Sequence, residues 1–434
     1  MMGRAVILTG TGNGPGACAA AARISTTGGG AVERYQTKHD PEKDISLVKK
    51  VLSSGHQSIF EHQTFFVAFE NVSVAVEQFV IECRLGSYTV KSRRYVDFSG
   101  AGYVTPDTLE ERFRGRYAEL MESLFSVYGE LTAVGIARED ARFVLPYCFC
   151  SNFYMTMNAR SLYKLVAEMR FGRGSAFSEI RELGESLASQ LEETWPGVSG
   201  LLGKAAAAPA AFDISFLEGE SGFAAAQPEA VLKRADPDAE NTLKELMRAN
   251  GRPADMSASE LIRSGRPREL EFLNYRFTVK DVSLACVTHF TRHRIQSLLV
   301  PDIREALRIR RFIVPDPIRE SSELYAKYVS CFEKAFSVCA ELVREGMPAE
   351  FITYFCLAGM VVPLEMSMNA RELHLFLRLR TCERAQWEIR RLARSMLAQL
   401  KAVSPGVFDS FGPGCISMDK CPEGRLSCGN PPKL

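Results

Sequence analysis

The chain carries the same sequence pattern twice, and this duplication limits the folds open to it more than any other feature. Residues 82–95 read ECRLGSYTVKSRRY, and residues 292–305 read RHRIQSLLVPDIRE. Both windows have arginine at their third place, serine at the sixth and arginine at the thirteenth. Each copy has lost a different part of the pattern, because the first lacks the RHR triplet and the second lacks the closing S-x-R-Y.

The duplication extends over most of the chain. Five further segment pairs match in the same order and at a nearly constant offset: VSVA with VSLA, YVTPD with FIVPD, MTMNARSL with MSMNAREL, SEIR with WEIR, and WPGV with SPGV. A period this long is not that of a solenoid, so it indicates two copies of a whole domain. We predict domains at residues 1–203 and 229–434, joined by a linker at 204–228.

Hydrophobic periodicity predicts the same elements in both copies. Alternating apolar residues predict strands, and repeats with helical spacing predict helices. The predicted strands are 5–8, 64–72 and 275–282, and the predicted helices are 111–134, 158–194 and 369–401. Strands mixed with long helices favour an α+β (mixed α/β) fold, with a β-sheet flanked by long helices in each copy.

Composition narrows the class of protein. The 53 basic and 52 acidic side chains nearly balance, which argues against a nucleic-acid coat protein. No apolar run reaches the length of a membrane span, and the start of the chain lacks the pattern of a signal peptide. The twelve cysteines form no regular framework, so we expect a reducing, cytoplasmic setting.

Arginine clusters in the second window. Six arginines lie between residues 292 and 311: Arg292, Arg294, Arg304, Arg308, Arg310 and Arg311. Guanidinium groups match phosphate oxygens, so one interpretation is a pocket for a phosphorylated ligand. The alternative is a solvated basic helix face, because Arg304, Arg308 and Arg311 share helical spacing.

Three other segments are similar to known binding motifs but depart from their spacing. His56 and His62 in SSGHQSIFEH lack the spacing of a helical zinc pair, so no metal site is expected. GTGNGPG at 10–16 has Pro15 where a dinucleotide fingerprint needs its third glycine, which predicts a tight loop. Three cysteines near the end of the chain lack zinc-ribbon spacing and are expected to be free thiols: Cys415, Cys421 and Cys428.

One arginine of the last predicted helix is a candidate catalytic group. Asn369 and Arg380 are eleven residues apart, which places them within about 20° of one helix face. An arginine at a pocket wall could stabilise the negative charge of a carbonyl oxygen or a developing enolate. The matching residues of the first copy, Asn158 and Arg170, are twelve apart, so that face is rotated.

At these residues the sequence resembles the flavin-dependent thymidylate synthases. Members carry R-H-R-x-x-S followed by S-x-R-Y, with G-H-x-S-x-x-E-H before it and A-R-x-V-L-P, N-x-R, L-x-L-R and A-Q-x-E-I-R after it. Here GHQSIFEH, SYTVKSRRY and ARFVLP come from the first copy, and RHRIQS, NAREL, LRLR and AQWEIR from the second. The resemblance implies reductive methylation of dUMP to dTMP, with FAD as cofactor and methylenetetrahydrofolate and NADPH as co-substrates.

The resemblance also implies roles for particular residues. Flavin contacts are implied for His56, Arg292, His293, Arg294, Asn369 and Arg371. Nucleotide contacts are implied for Ser92, Arg94, Tyr95, Arg142 and Arg304. Arg380 matches the arginine that holds and polarises the uracil. A usual member has one such domain and forms a homotetramer, so a homodimer of this doubled chain is expected.

Both copies depart from the family pattern. The first has Glu82 and Cys83 in place of the first two RHR residues. The second has Asp302 for serine, Glu305 for tyrosine and Thr353 for the arginine of A-R-x-V-L-P. Because most groups missing from one copy are present in the other, we expect sites split between the copies. The alternative is a diverged pyrimidine-nucleotide methylase or reductase, or a non-catalytic nucleotide- or flavin-binding protein.

Overall fold

A computed structural model describes residues 3–37, 40–198, 209–219, 222–418 and 420–432. The chain divides into two compact units. The first consists of Met1–Ser221 and Glu333–Leu357, and the second consists of Gly222–Phe332 and Ala358–Leu434. Residues 333–357 therefore belong to the second sequence copy but to the first compact unit.

The described part of the first unit contains a four-stranded sheet and several helices. Its strands are β1 (Arg4–Gly10), β2 (Thr64–Ser73), β3 (Ser87–Val90) and β4 (Cys150–Asn158). Its helices are α1 (Gly14–Ile24), α2 (Ala31–Gln36), α3 (Pro41–Ser53), α4 (Val74–Ile81), α5 (Glu111–Ala133), α6 (Arg138–Ala141), α7 (Ala159–Arg170) and α8 (Ser178–Thr194). Short 3₁₀ helices lie at Gln57–His62, Arg142–Val144, Arg173–Ala176, Ser215–Glu218 and Ala349–Phe355.

The second unit has six strands within the described residues, four in one sheet and two in another. Its strands are β5 (Ala224–Ala226), β6 (Glu229–Arg234), β7 (Asn274–Ser283), β8 (Ser297–Leu299), β9 (Arg311–Ile313) and β10 (Val361–Asn369). Its helices are α9 (Ala239–Ala249), α10 (Ala258–Arg263), α11 (Leu284–Thr291), α12 (Glu305–Ile309), α13 (Asp316–Arg319), the start of α14 (Ser322–Arg344), α15 (Ala370–Arg380), α16 (Trp387–Val403), α17 (Pro405–Phe408) and α18 (Gly414–Ser417). Its 3₁₀ helices are Arg268–Phe272 and Gly424–Leu426.

The two main sheets have the same topology. Their strand orders are β1-β2-β4-β3 and β6-β7-β10-β8, with antiparallel neighbours. β2 and β7 each have a bulge at a residue with positive φ, Asn71 at 53° and Asp281 at 52°. Asparagine and aspartate tolerate this conformation better than other residues with side chains. The predicted α+β fold in two copies is therefore confirmed.

Equivalent side chains tie the helices to the sheets. Gln190 accepts a hydrogen bond from the backbone N–H of Ile7 at 2.8 Å, and Gln399 does the same for Leu232 at 2.8 Å. Helix α16 buries residues with the predicted helical spacing: Ile389, Leu392, Met396 and Leu400. The last long helix is therefore fastened to the first strand of the main sheet in the same way in both units.

Two predicted helices are each divided in the structure. The segment 158–194 forms α7 and α8, and the segment 369–401 forms α15 and α16. The Gln386 side chain accepts from the N–H groups of Glu388 and Ile389 at 3.0 and 3.2 Å, so α16 starts anew there. Asn369 caps α15, and Arg380 is its last residue. Within the described residues, no helix has the length and apolar character that a membrane span requires.

Candidate functional site

Residues predicted to bind the nucleotide phosphate follow β3 in the first unit. Arg94 Nε donates to Glu139 Oε2 at 2.7 Å, and its guanidinium lies 5.5 Å from the ring centroid of Tyr95. The backbone N–H of Arg94 donates to Ser92 Oγ at 3.3 Å. The Arg94 side chain remains 25% exposed. An anionic ligand can therefore reach this arginine, where it would compete with Glu139.

Helix α6 brings further arginines to this place. Arg142 directly follows α6, and its Nε donates to the backbone carbonyl of Glu139 at 3.1 Å. Arg138 Nη1 donates to the carbonyl of Tyr95 at 2.9 Å. Glu139 thus bonds to Arg94 through its carboxylate and to Arg142 through its backbone. The first unit gathers four of the predicted nucleotide residues: Ser92, Arg94, Tyr95 and Arg142.

A buried ion pair holds this segment in place. Arg93 donates to the Glu77 carboxylate, and the hydroxyl of Ser151 donates to the other oxygen of the same carboxylate. All three side chains are buried. Because Arg93 lies between Ser92 and Arg94, its anchoring fixes the backbone that carries both.

In the second unit a carboxylate occupies the corresponding place. Asp302 stands where the first copy has Ser92, and its two oxygens accept from Arg304 Nε at 2.9 Å and Nη2 at 2.7 Å. Only 6% of the Arg304 side chain is exposed. This two-point geometry is the one by which arginine binds a phosphate. Arg304, predicted to bind the nucleotide, is therefore already engaged by a carboxylate of its own unit.

A second group of polar residues forms around His293. His293 Nδ1 lies 3.2 Å from Glu372 Oε1, and Arg380 Nε donates to His293 Nε2 at 3.1 Å. Arg380 Nη2 also donates to the carbonyl of His289 at 3.2 Å. Burial lowers the pKa of His293, although the hydrogen bond to Glu372 opposes this shift. Arg380 is thereby tied to the segment that carries the RHR triplet.

The RHR triplet alternates between exposed and buried side chains. Arg292 and Arg294 are exposed, whereas His293 between them is buried and packs edge-on against Phe376, with 4.9 Å between ring centroids. The two arginines can therefore meet an anion from solvent. The histidine instead faces Glu372 and Arg380 within the unit.

A cavity of about 670 Å³ lies beside these residues in the second unit. Asn369 and Arg371, both predicted to border the flavin, line it together with Glu271 and Glu372. Arg371 is paired with Glu271. The remaining lining is largely apolar: Ile262, Pro267, Ile295, Leu375 and Met418. Apolar walls with a few polar groups are typical of small-molecule and cofactor sites.

One histidine of the cavity wall is unsatisfied. His374 Nε2 is buried and has no hydrogen-bond partner within the described residues. Burial, helped by the nearby charge of Arg378, lowers the pKa of His374 to about 4. The ring is therefore neutral at pH 7, with one nitrogen as a donor and the other as an acceptor.

The first unit has only part of this arrangement. His56 is exposed at the turn before the 3₁₀ helix Gln57–His62, as expected for a polar turn. Arg160 pairs with Glu61 at 2.5 Å, as Arg371 pairs with Glu271 in the second unit. The arginine near the end of the following helix differs, because Arg170 pairs with Glu185 at 2.8 Å.

The basic-face alternative for the second window is wrong. Helix α12 covers only Glu305–Ile309, so Arg304 precedes it and Arg311 lies in β9. Arg310 ends the helix with a positive φ of 55°. These arginines therefore do not share one helix face.

No metal ligands are gathered among the residues that the structure describes. There, no group of three or more histidine, cysteine, aspartate or glutamate side chains could hold a metal ion. Cys415, Cys421 and Cys428 are free thiols, and Cys428 is exposed. Sequence reasoning did not single out Glu139, Glu372 or His374. The repeated N-A-R motif marks the start of α15, but nothing in it indicates which later side chains turn toward the cavity.

Two four-stranded antiparallel sheets of equal order, each followed by a pair of helices, define a tandemly duplicated α+β protein. The family described as "Thymidylate synthase complementing protein" matches residues 7–197 and 226–406. The chain therefore belongs to this family and contains its domain twice.

Known relatives correspond to parts of this chain. A flavin-dependent thymidylate synthase of Geobacter sulfurreducens is 37% identical over 169 residues, which are 38% of this chain and 72% of the relative. That of Thermococcus onnurineus is 29% identical over 188 residues, 41% of this chain and 77% of the relative. The crystal structure of the UMP/dUMP methylase PolB from Streptomyces cacaoi with 5-Br dUMP has 22% identity and a TM-score of 0.39, covering 46% of this chain and 94% of that one.

Proposed function

We propose that this protein is a flavin-dependent thymidylate synthase that methylates dUMP to dTMP, using residues of both copies. Family membership and the names of the relatives support the reaction. One observation supports a site that is divided between the two copies. The accessible phosphate-binding arginine is Arg94 in the first copy, whereas the arginine held beside the RHR segment is Arg380 in the second.

We infer that FAD is the cofactor and that the second unit supplies much of its site. The donor set fits, because Arg292, Arg294 and Arg371 match phosphate oxygens and the apolar cavity wall suits a planar ring. From the first copy, we propose His56 as a contact near the flavin ring. When bound, reduced FAD supplies the hydride, NADPH restores the reduced form, and methylenetetrahydrofolate supplies the carbon.

We assign the nucleotide phosphate to the residues after β3. Ser92 and Arg94 offer a hydroxyl and a guanidinium group, and Tyr95 flanks Arg94. We propose Arg142 as a further contact, which must be uncovered first because it is buried and bonded to the carbonyl of Glu139. A charged hydrogen bond is worth roughly 1.5–3 kcal/mol, so displacement of Glu139 by a phosphate is favourable if two such bonds form.

We assign the substrate ring to Arg380. A guanidinium stays charged throughout the reaction, so it can stabilise negative charge that develops on a uracil carbonyl oxygen. Its contacts to His293 and the His289 carbonyl hold it before substrate arrives. A group fixed in advance needs no reorganisation during the reaction.

The doubled chain also suggests its assembly. We propose that two chains form a homodimer that replaces four single-domain subunits, and that the domains are 1–203 and 229–434. Residues 204–208 and 220–221 of the proposed linker lie outside the described residues.

The reaction can be tested directly on the purified chain. We expect a bound flavin spectrum, NADPH oxidation that depends on both dUMP and methylenetetrahydrofolate, and dTMP detected by mass spectrometry. A protein that acquires no flavin after reconstitution would contradict the proposal. Binding of dUMP without turnover would instead favour a non-catalytic nucleotide-binding protein, a candidate supported by the Asp302–Arg304 pair.

A further inference from the structure

We propose that Glu372 and His293 are positioning residues, which fix one tautomer of the imidazole so that it orients Arg380 toward the substrate ring. This inference rests on the proposed role of Arg380. In this proposal His293 acts through its bonds to Glu372 and Arg380. Turnover then depends on Glu372 as well.

Hydrogen-bond chemistry leaves one arrangement for these three groups. The Nε of a guanidinium always carries hydrogen, so Arg380 can only donate to His293 Nε2 across their 3.1 Å contact. Nε2 must then be the unprotonated nitrogen of the ring. The proton lies on Nδ1, where it can be donated to Glu372 Oε1 at 3.2 Å. Glu372 thus selects the tautomer that Arg380 needs.

Loss of the carboxylate would free the other tautomer. With hydrogen on Nε2, the ring would present a donor to the Nε–H of Arg380, and two donors repel each other. The surrounding contacts make this consequential, because His293 is only 3% exposed and is packed against Phe376. Arg380 would then keep only its contact to the carbonyl of His289 among these bonds.

The first copy shows what the same helix does without this pair. Cys83 and Ser161 stand at the positions of His293 and Glu372. The corresponding helix there ends with Arg170, which pairs with Glu185 and lies 4.6 Å from the ring centroid of Phe171. The orienting pair and the inward arginine are therefore present together in one copy and absent together from the other.

The decisive variant is Glu372→Ala, with Ser161→Ala as the matched control on α7. Ser161 is bonded to Asn158 through its backbone N–H, which alanine retains. Two readouts are needed. The first is ¹⁵N NMR of histidine-labelled protein, with His293 assigned by its loss in His293→Gln. The second is dUMP affinity by titration calorimetry on the full chain, with its flavin content recorded.

We expect wild-type His293 to show the Nδ1–H tautomer and Glu372→Ala to lose it. The dUMP dissociation constant should rise roughly 10- to 100-fold, the range for one lost bond to a charged group. Glu372→Gln, whose amide oxygen still accepts from Nδ1–H, should keep the tautomer and lose less affinity, and Ser161→Ala should match wild type.

Three results would overturn the inference. They are an unchanged tautomer in Glu372→Ala, an unchanged dUMP affinity in that variant, and a loss confined to flavin content, which would make His293 a cofactor contact. If wild-type protein binds no dUMP, the proposed function fails instead. The NMR measurement then still decides whether Glu372 sets the tautomer.

Discussion

The segments that follow β3 and β8 occupy the same place in the two copies but are built on different chemistry. After β3, a buried Arg93–Glu77 pair anchors the chain and the neighbouring Arg94 is accessible. After β8, Ile303 stands at the anchor position, and Arg304 is closed off by Asp302. Both arginines pair with a carboxylate, but the Arg94 side chain remains 25% exposed, whereas that of Arg304 is only 6% exposed.

All three residues of the buried anchor, Glu77, Arg93 and Ser151, are replaced by apolar residues in the second copy. Arg93 donates to Glu77, which also accepts from Ser151, and the second copy has Val287 and Val362 at the positions of Glu77 and Ser151. Losing one member of a buried ion pair leaves the other charged and unsolvated, whereas replacing all members by apolar groups is often neutral. The arginines near the ends of α7 and α15 differ in the opposite sense. In the second copy Arg380 bonds to the buried His293, whereas in the first copy Arg170 pairs with Glu185. Each copy therefore retains a different part of the family's motif residues.

The largest expected effect tests the buried anchor. Glu77→Gln should lower the free energy of unfolding by about 3–5 kcal/mol, because Arg93 loses its counter-charge. The triple variant Glu77→Val, Arg93→Ile, Ser151→Val copies the second copy and should recover most of that loss. Chemical denaturation of both variants measures this. A triple variant as unstable as the single one would show that the two anchors are not interchangeable.

Next comes the arginine that differs between the helices. Arg380→Lys should lower kcat by about 100- to 1000-fold, the range for removing one preorganised electrostatic contact. Arg170→Lys makes the same change at the partly exposed pair with Glu185 and should leave kcat nearly unchanged. Steady-state dTMP formation compares them. Equal losses would mean that both copies supply a catalytic arginine.

Acid sensitivity should also separate the copies. The pKa of His374 is lowered from 6.5 to about 4 in the folded chain, so the unfolded chain takes up this proton first. Its stabilising contribution is present above pH 6.5 and is lost as the pH falls toward 4, by about 3 kcal/mol in total.

The variant that tests this is His374→Tyr, which places the first copy's Tyr163 in the second. It should flatten the pH dependence of unfolding between pH 6.5 and 4, measured by denaturation at each pH. His62→Gln, at an exposed histidine, is the control and should keep the wild-type dependence. An unaltered slope in His374→Tyr would assign the acid sensitivity to other groups.

The smallest expected effect concerns the nucleotide phosphate. Arg94→Ala should raise the dUMP dissociation constant roughly 10- to 100-fold, because one charged hydrogen bond is lost. Affinity for deoxyuridine, which has no phosphate, should not change and serves as the control. Calorimetric titration of both ligands provides the measurement, and a comparable loss for deoxyuridine would mean that Arg94 does not contact the phosphate.

Local pattern predicts three strands of the sheets, β1, β2 and β7, and is a weaker guide to the other strands and to helix ends. Alternation over 64–72 predicted β2 to within one residue of Thr64–Ser73, because one face of that strand is buried. The periodicity of 369–401 continued across the break between α15 and α16. Both helices pack apolar residues at the same spacing, so only the cap formed by Gln386 reveals the division.

The sequence by itself determined the duplication, the α+β class and the complementary loss of motif residues, because these depend on residue identity and order along the chain. Only the tertiary structure decided which charges are available. His293 meets Glu372 and Arg380 across 79 and 87 residues of chain, and no spacing rule predicts such contacts. Asp302 and Arg304 are only two residues apart, but whether they pair depends on how the fold buries the arginine. Burial and through-space geometry set the strength of such interactions, and both arise only when the chain is folded.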